Sequence, residues 1–257
     1  MSALLSARGL TRRFGGIAAV DGVDLDLAPG LITALIGPNG AGKTTLFNLI
    51  TGHLAPDAGT VTLADVAIGR RTPHAIARLG IARSFQDLRL FARMSVRDNV
   101  LCATEPASWF WQPGGGTSRE SRAARAEHAL AATGLTDLSR ADAADLAYAE
   151  RKFLSLARII ATGARIWLLD EPASGLDPAS RARFSALLRE KLGEGVTICL
   201  IEHNLDIVIE LADRIVFLDQ GRKLAEGDPE TILNDPALAA IYFGERAWAE
   251  LCCRRAE

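Results

Sequence analysis

The sequence predicts an α/β fold: a mixed or parallel sheet with flanking helices, an antiparallel N-terminal β-subdomain and an inserted helical subdomain. Short apolar runs alternate with helix-compatible segments, a glycine-rich loop joins one such run to a helix start, and a polar, Ala-rich stretch interrupts the rhythm. The 257 residues suit one large domain, or one domain carrying an insertion. With 29 Lys+Arg against 31 Asp+Glu the formal charge is −2, which excludes a strongly basic nucleic-acid binder and an acidic disordered tail. Only four basic residues are lysines, Lys43, Lys152, Lys191 and Lys223, so each draws attention.

Val23, Leu25 and Leu27 alternate with Asp24 and Asp26, as expected of a half-buried antiparallel strand. The turn Ala28-Pro29-Gly30 precedes a mostly apolar run, residues 31–36, that suits a buried strand. A helix is expected from Lys43 to about Thr51, then strands near residues 60–66 and 81–85. Polar and Ala-rich helical sequence dominates from Asp87 to Ala149. Within it, residues 105–118 contain Trp109-Phe110-Trp111, Pro113 and three glycines and read as a surface loop. Strands are expected again at residues 166–169, 196–201 and 214–218, with helices opened by Asp177-Pro178, Asp228-Pro229 and Asp235-Pro236. The longest apolar run, residues 237–243, is far shorter than the roughly 18 residues that cross a bilayer, and no signal peptide is evident. Cys102, Cys199, Cys252 and Cys253 lack metal-ligand spacing and read as reduced thiols of a cytoplasmic protein.

Gly37-Pro38-Asn39-Gly40-Ala41-Gly42-Lys43-Thr44, followed by Thr45, fits the phosphate-loop pattern G-x-x-x-x-G-K-[ST] between a buried strand and a helix start. The glycines let backbone N–H groups curl around phosphate oxygens, and the helix N-terminus adds positive partial charge. Lys43 is placed to reach the β- and γ-phosphates, and Thr44 to offer a hydroxyl to Mg²⁺. The core is therefore expected to be a P-loop NTPase. Four apolar residues, Ile166–Leu169, lead to Asp170 and Glu171, the first suited to hold Mg²⁺ and the second to polarise water. No Asn-Lys-x-Asp guanine reader is present.

The run Asp170-Glu-Pro-Ala-Ser-Gly-Leu-Asp177-Pro and the later Ile201-Glu202-His203 resemble the ATP-binding subunits of ABC transporters, and the resemblance covers essentially the whole chain. Within that family the chain looks most like subunits serving branched-chain amino-acid uptake. That closer match rests on Arg13-Phe14-Gly15-Gly16, the stretch GPNGAGKTTLFNLITG, residues 73–86 ending in Arg83-Ser84-Phe85-Gln86, and Ala212-Asp213-Arg214-Ile215. The resemblance implies a nucleotide-binding core at 1–86 and 150–226, a helical insertion at 87–149 and a C-terminal helical tail at 227–257. It implies ATP and Mg²⁺, with the phosphate loop (Gly37, Asn39, Gly40, Ala41, Gly42, Lys43, Thr44, Thr45) as nucleotide site. Phe14 would stack on adenine, although it also reads as a core phenylalanine. Gln86 would approach Mg²⁺ and the attacking water, His203 would contact the γ-phosphate, and Asp177 would sit at a dimer seam besides capping its helix.

The family signature, ideally Leu-Ser-Gly-Gly-Gln and in the resembled subfamily commonly Leu-Ser-Tyr-Gly-Gln, corresponds here to Leu146-Ala147-Tyr148-Ala149-Glu150, followed by Arg151. Ala147 lacks the serine hydroxyl, Ala149 adds a methyl where a glycine N–H would approach phosphate, and Glu150 brings negative charge near a triphosphate. In the family each signature serves the other subunit's ATP, so a heterodimer with an intact partner is favoured over a homodimer. The implied assembly adds two membrane permease subunits and, indirectly, a solute-binding protein; no nucleic acid is expected. The chain is then peripheral, at the cytoplasmic face of the membrane. The damaged signature keeps a non-hydrolysing, ATP-gated regulatory subunit open as the alternative, which Asp170, Glu171 and His203 argue against. Trp109–Trp111 fits either docking to the membrane subunits or packing within its own loop.

Overall fold

A computed structural model describes residues 3–104 and 119–243. Trp109–Trp111 and the pair Cys252 and Cys253 lie outside the described residues. The chain divides into two compact units, Met1–Thr72 with Cys199–Glu257, and Pro73–Ile198.

The first unit opens with β1 (Leu5–Phe14) and β2 (Ile17–Leu27), an antiparallel pair turned by Gly15-Gly16. Val23, Leu25 and Leu27 are buried while the aspartates between them are not, the half-buried alternation expected of β2. The sequence reading had no counterpart to β1. Its pairing with β2 shifts register three times between Ala7 and Arg13, and those bulges break the period-two pattern that would have announced a strand. β3 (Ile32–Ile36) is buried along its whole length and runs into the phosphate loop and α1 (Lys43–Ile50). The single strand expected near residues 60–66 is instead a hairpin of β4 (Ala58–Leu63) and β5 (Val66–Ala67). Ala64 and Asp65 turn it with φ of +44° and +67°, the left-handed pair that a two-residue hairpin demands, without the glycine that usually marks such a turn. These four strands form one antiparallel sheet in the order β2-β1-β4-β5.

The second unit holds α2 (Pro73–Arg78) and β6 (Ile81–Arg83), then α3 (Val96–Ala103), α4 (Arg119–Ala132) and α5 (Tyr148–Thr162). β7 (Ile166–Asp170) and α6 (Pro178–Gly193) follow, with β6 parallel to β7. α3 is capped by Ser95, whose hydroxyl accepts from the Asp98 N–H at 3.0 Å. Fully buried Asn99 ties down the preceding loop, donating to the carbonyls of Phe91, Met94 and Ser95 and accepting from the Phe91 N–H. α5 buries Phe153, Leu154, Leu156, Ala157 and Ile159 and ends at Gly163 in the left-handed conformation. In β7 all five residues are buried, and the Trp167 indole N–H is satisfied by the Ala164 carbonyl at 2.9 Å. Asp177 caps α6 ahead of Pro178, as the Asp-Pro pair predicted.

β8 (Thr197–Ile201) is wholly buried, and the division between units falls inside it. The first unit resumes with α7 (Leu205–Leu211), β9 (Arg214–Asp219), β10 (Arg222–Gly227), α8 (Pro229–Leu233) and α9 (Pro236–Phe243). β3 pairs with β9 in parallel, and β9 with β10 antiparallel. Parallel pairing places the ends of β3 and β9 on the same side, so the phosphate loop leaves β3 at the carboxyl edge of its sheet, where α/β folds bind ligands.

Candidate functional site

In the first unit the phosphate loop is shaped by close backbone approaches. Gly37 has φ +144°, and a Cβ there would lie 1.9 Å from the Leu218 carbonyl oxygen of β9. Gly42, the N-cap of α1, has φ +100° and faces the Ala19 carbonyl oxygen at 2.2 Å from where a Cβ would stand. Neither position tolerates a side chain, the physical reason for glycine at both ends of the motif. The Ala41 N–H donates to the Pro38 carbonyl, and the Ala41 carbonyl accepts from Gly221, so the loop is preformed. Lys43 is buried, its ammonium donating to the carbonyls of Gly37 at 2.7 Å and Pro38 at 2.9 Å. α1 has no side-chain cap and no acidic residue in its first turn, so the helix itself sets no negative charge at the positive end of its dipole. Thr44 is exposed in that first turn; Asn39 and Gly40, with φ +82°, form the exposed crest of the loop, and Thr45 lies half-buried behind it.

Phe14, at the end of β1, is 47% exposed with the Arg12 guanidinium 5.2 Å from its ring centre. It is not part of the core, and the guanidinium lies over one face of its ring. His203 is exposed two residues past β8. Its N–H donates to buried Glu202, and its carbonyl accepts from the Tyr242 hydroxyl at 3.1 Å. Burial, helped by Glu202, pushes the Tyr242 phenol up to about 12, so it stays a donor at neutral pH.

In the second unit the sequence-predicted residues converge at the end of β7. Asp170 is buried; its N–H donates to the Ser84 hydroxyl at 2.9 Å, and its carboxylate pairs with Arg83 at 3.3 Å. Burial lowers the Arg83 guanidinium from its ordinary value, opposed by the Asp170 charge. Glu171 follows with φ +47°, a left-handed backbone on a non-glycine residue. The Gln86 amide donates to its carboxylate at 3.3 Å. With that nitrogen committed, the Gln86 carbonyl oxygen is the end able to ligate. Gln86 and Asp170 thus offer amide and carboxylate oxygens in the second unit, and Thr44 offers a hydroxyl in the first; each is a hard donor of the kind Mg²⁺ takes alongside phosphates and water. Asp177 is exposed, and its carboxyl is held below the ordinary aspartate range first by the Ser180 hydroxyl and then by the Ser180 N–H.

The signature departures have a structural consequence. Ala147 is the N-cap of α5 and has no side-chain acceptor to give. Glu150 folds back, its carboxylate accepting from the Ala147 N–H at 2.7 Å, which is half of a capping box. The helix terminus where the resemblance places a partner's γ-phosphate therefore carries an internal anion. Arg151 does not pair with it. Its guanidinium donates to the carbonyls of Leu146 and Ala144.

The model of the ABC transporter family matches residues 20–174. The chain is 40% identical over 250 residues to the high-affinity branched-chain amino acid transport ATP-binding protein LivG of Escherichia coli K12, covering 94% of this chain and 98% of that protein. The corresponding protein BraF of Pseudomonas aeruginosa PAO1 is 39% identical with the same coverage. Among solved structures, the ADP conformation of MJ1267, an ATP-binding cassette of an ABC transporter, superposes with a TM-score of 0.84 at 30% identity, covering 95% of this chain and all of that one. The chain belongs to the ABC transporter ATP-binding family. Its fold is that of the ABC ATPase cassette, and it is an ATP-binding, ATP-hydrolysing subunit. The comparisons support this reading and not the non-hydrolysing alternative.

Two ABC-cassette residues escaped the sequence reading. Arg83 was visible only as part of a motif, and its pairing with Asp170 spans 87 positions. Lys152 stood out only as one of four lysines; it is buried and donates to the Glu171 carbonyl.

Proposed function

We propose that the chain powers an ABC importer for branched-chain amino acids or a related small solute, working at the cytoplasmic face of the membrane. The observation that supports the hydrolytic role best is the meeting of Gln86 and Glu171 at the end of β7, next to buried Asp170. The phosphate loop holds the nucleotide, Lys43 moving from its own loop carbonyls to the β- and γ-phosphates. Thr44, Gln86 and Asp170 would hold Mg²⁺, which would offset phosphate charge. Arg83 orients the Asp170 carboxylate and offsets its charge. Glu171 accepts a proton from the attacking water, and His203 orients that water against the γ-phosphate. Phe14 carries the adenine. The insertion at 87–149 serves the membrane subunits, with 1–86 and 150–226 as nucleotide-binding core and 227–257 as tail.

Transport follows from differential affinity. ATP favours two cassettes closed together, and its products favour them apart. No helix among the described residues is long and apolar enough to cross a membrane, in keeping with two separate permease subunits and a solute-binding protein outside. The partner cassette is a different chain with an intact signature, because Glu150 at the head of α5 repels the phosphate that this chain's signature would serve. LivG and BraF, named for branched-chain amino acid transport, favour that solute class.

Glu171→Gln tests the hydrolytic role: turnover should fall at least about a hundredfold while ATP binding persists. Turnover matching the parent would remove Glu171 as the base. Disrupting the coding sequence in its host should lower leucine, isoleucine and valine uptake. Unchanged uptake of all three, with loss of another small solute, would reassign the cargo.

A further inference from the structure

A buried lysine that answers a neutral carbonyl needs a reason, because burying an ammonium is costly without strong compensation. Lys152 is 5% exposed, and its ammonium donates to the Glu171 carbonyl at 2.8 Å. It lies one helical turn beyond Tyr148 on α5, with the nitrogen 5.7 Å from the centre of that ring. Tyr148 itself donates through its hydroxyl to the Ser174 carbonyl at 3.3 Å. Its ring covers Gly175, where a Cβ would come within 2.8 Å of the ring edge and where φ is +76°. The first turn of α5 thus grips the segment 171–175 at both ends. The segment's own bonds, Ser174 N–H to the Glu171 carbonyl at 3.3 Å and Leu176 N–H to the Ala173 carbonyl at 3.2 Å, are longer than the Lys152 bond. The grip begins at Glu171, whose left-handed backbone has to be held by its surroundings.

We infer that Lys152 and Tyr148 are positioning residues that fix the Glu171 backbone to the signature helix, so the carboxylate follows what the head of α5 contacts. Resting on the reading of Glu171 as the base, this couples two ATP sites through one chain. The signature attends the partner's nucleotide, and the same helix holds the carboxylate for this chain's own. A lysine suits the task because its ammonium reaches the carbonyl and the Tyr148 ring together.

The test uses the full chain with ATP and Mg²⁺. Lys152→Met should lower kcat about tenfold with KM for ATP within about twofold, as expected from losing a charge-assisted bond that orients the base and not the phosphates. Lys152→Arg, which keeps a donor, should recover most of the loss. Hydrogen exchange at the Ser174 and Leu176 amides should quicken in Lys152→Met without nucleotide. Parent-like kcat, or parent-like exchange at those amides, overturns the inference. Should Lys152→Met not fold, exposed Tyr148→Phe keeps the ring and loses only the bond to Ser174; it should lower kcat two- to threefold, and no change overturns the inference. Glu171→Gln assayed beside them separates the two readings. If it retains turnover, the base assignment falls, while amide exchange still judges the grip.

Discussion

The glycines at the two ends of the phosphate loop differ from Gly40 at its crest in what surrounds them. Gly40 also has a left-handed φ, but a Cβ there would meet nothing within 4 Å, whereas Gly37 and Gly42 press against backbone oxygens of other strands. Backbone oxygens cannot rotate away as a flexible side chain can, so accommodating even a methyl moves the loop. Gly37→Ala should therefore cost at least about tenfold in ATP affinity, because the loop's N–H groups lose their common focus. Gly40→Ala, strained by its φ yet unobstructed, should cost less. Nucleotide titration of both variants by fluorescence or calorimetry checks the order, and equal losses would show that φ alone governs the loop. Asp170 makes the complementary point. Its neighbour Arg83 is almost wholly buried, and an arginine there neutralises the carboxylate as well as orienting it.

At the scale of elements, α6 is started by one side chain whose charge matters. Ser180 holds the Asp177 carboxyl below the ordinary aspartate value of 3.8, so the cap's contribution is present above that pH and is lost as pH falls through the depressed value. Asp177→Ala should lower the melting temperature by about 2–3 °C at pH 7, and the gap from the parent should close in strong acid. A gap that widens on acidification would reverse the sign and reject the cap's ionic role. Elements announced in the sequence were those whose cue is local. Asp-Pro pairs mark α6 and α8, alternation marks β2, and unbroken apolar runs mark β3, β7 and β8. β1 was hidden by its bulges, β5 by a hairpin turned on Ala64-Asp65 without glycine, and β10 by a short sequence, Arg222–Gly227, with little apolar content. The site divides in the same way. Its motif residues are contiguous and could be read, but Arg83 with Asp170 and Lys152 with Glu171 are pairings across 87 and 19 positions that only packing creates.

For the molecule as a whole, the question is whether its signature limits turnover. Ala147 already has the extended backbone of an N-cap, with φ −61° and ψ 160°, and Glu150 already supplies the returning half of the capping box. Ala147→Ser alone would complete that box, and should stabilise the chain by about 0.5–1 kcal/mol, read from its denaturation midpoint. Activity asks for more, since the Glu150 carboxylate would still face the phosphate and the Ala149 methyl would still crowd it. The triple change Ala147→Ser, Ala149→Gly and Glu150→Gln restores a hydroxyl donor, a close backbone N–H and a neutral amide. Each charge-assisted bond regained is worth about 1.5–3 kcal/mol, so turnover by this chain alone should rise at least about tenfold. In a complex with an intact partner the gain should be smaller, because one of the two sites already has a sound signature. Steady-state ATPase rates of the parent and triple variant, each alone and mixed with the partner cassette, decide the matter. A triple variant no faster than its parent when alone would mean that hydrolysis does not wait on the signature, and the case for an unlike partner would go with it.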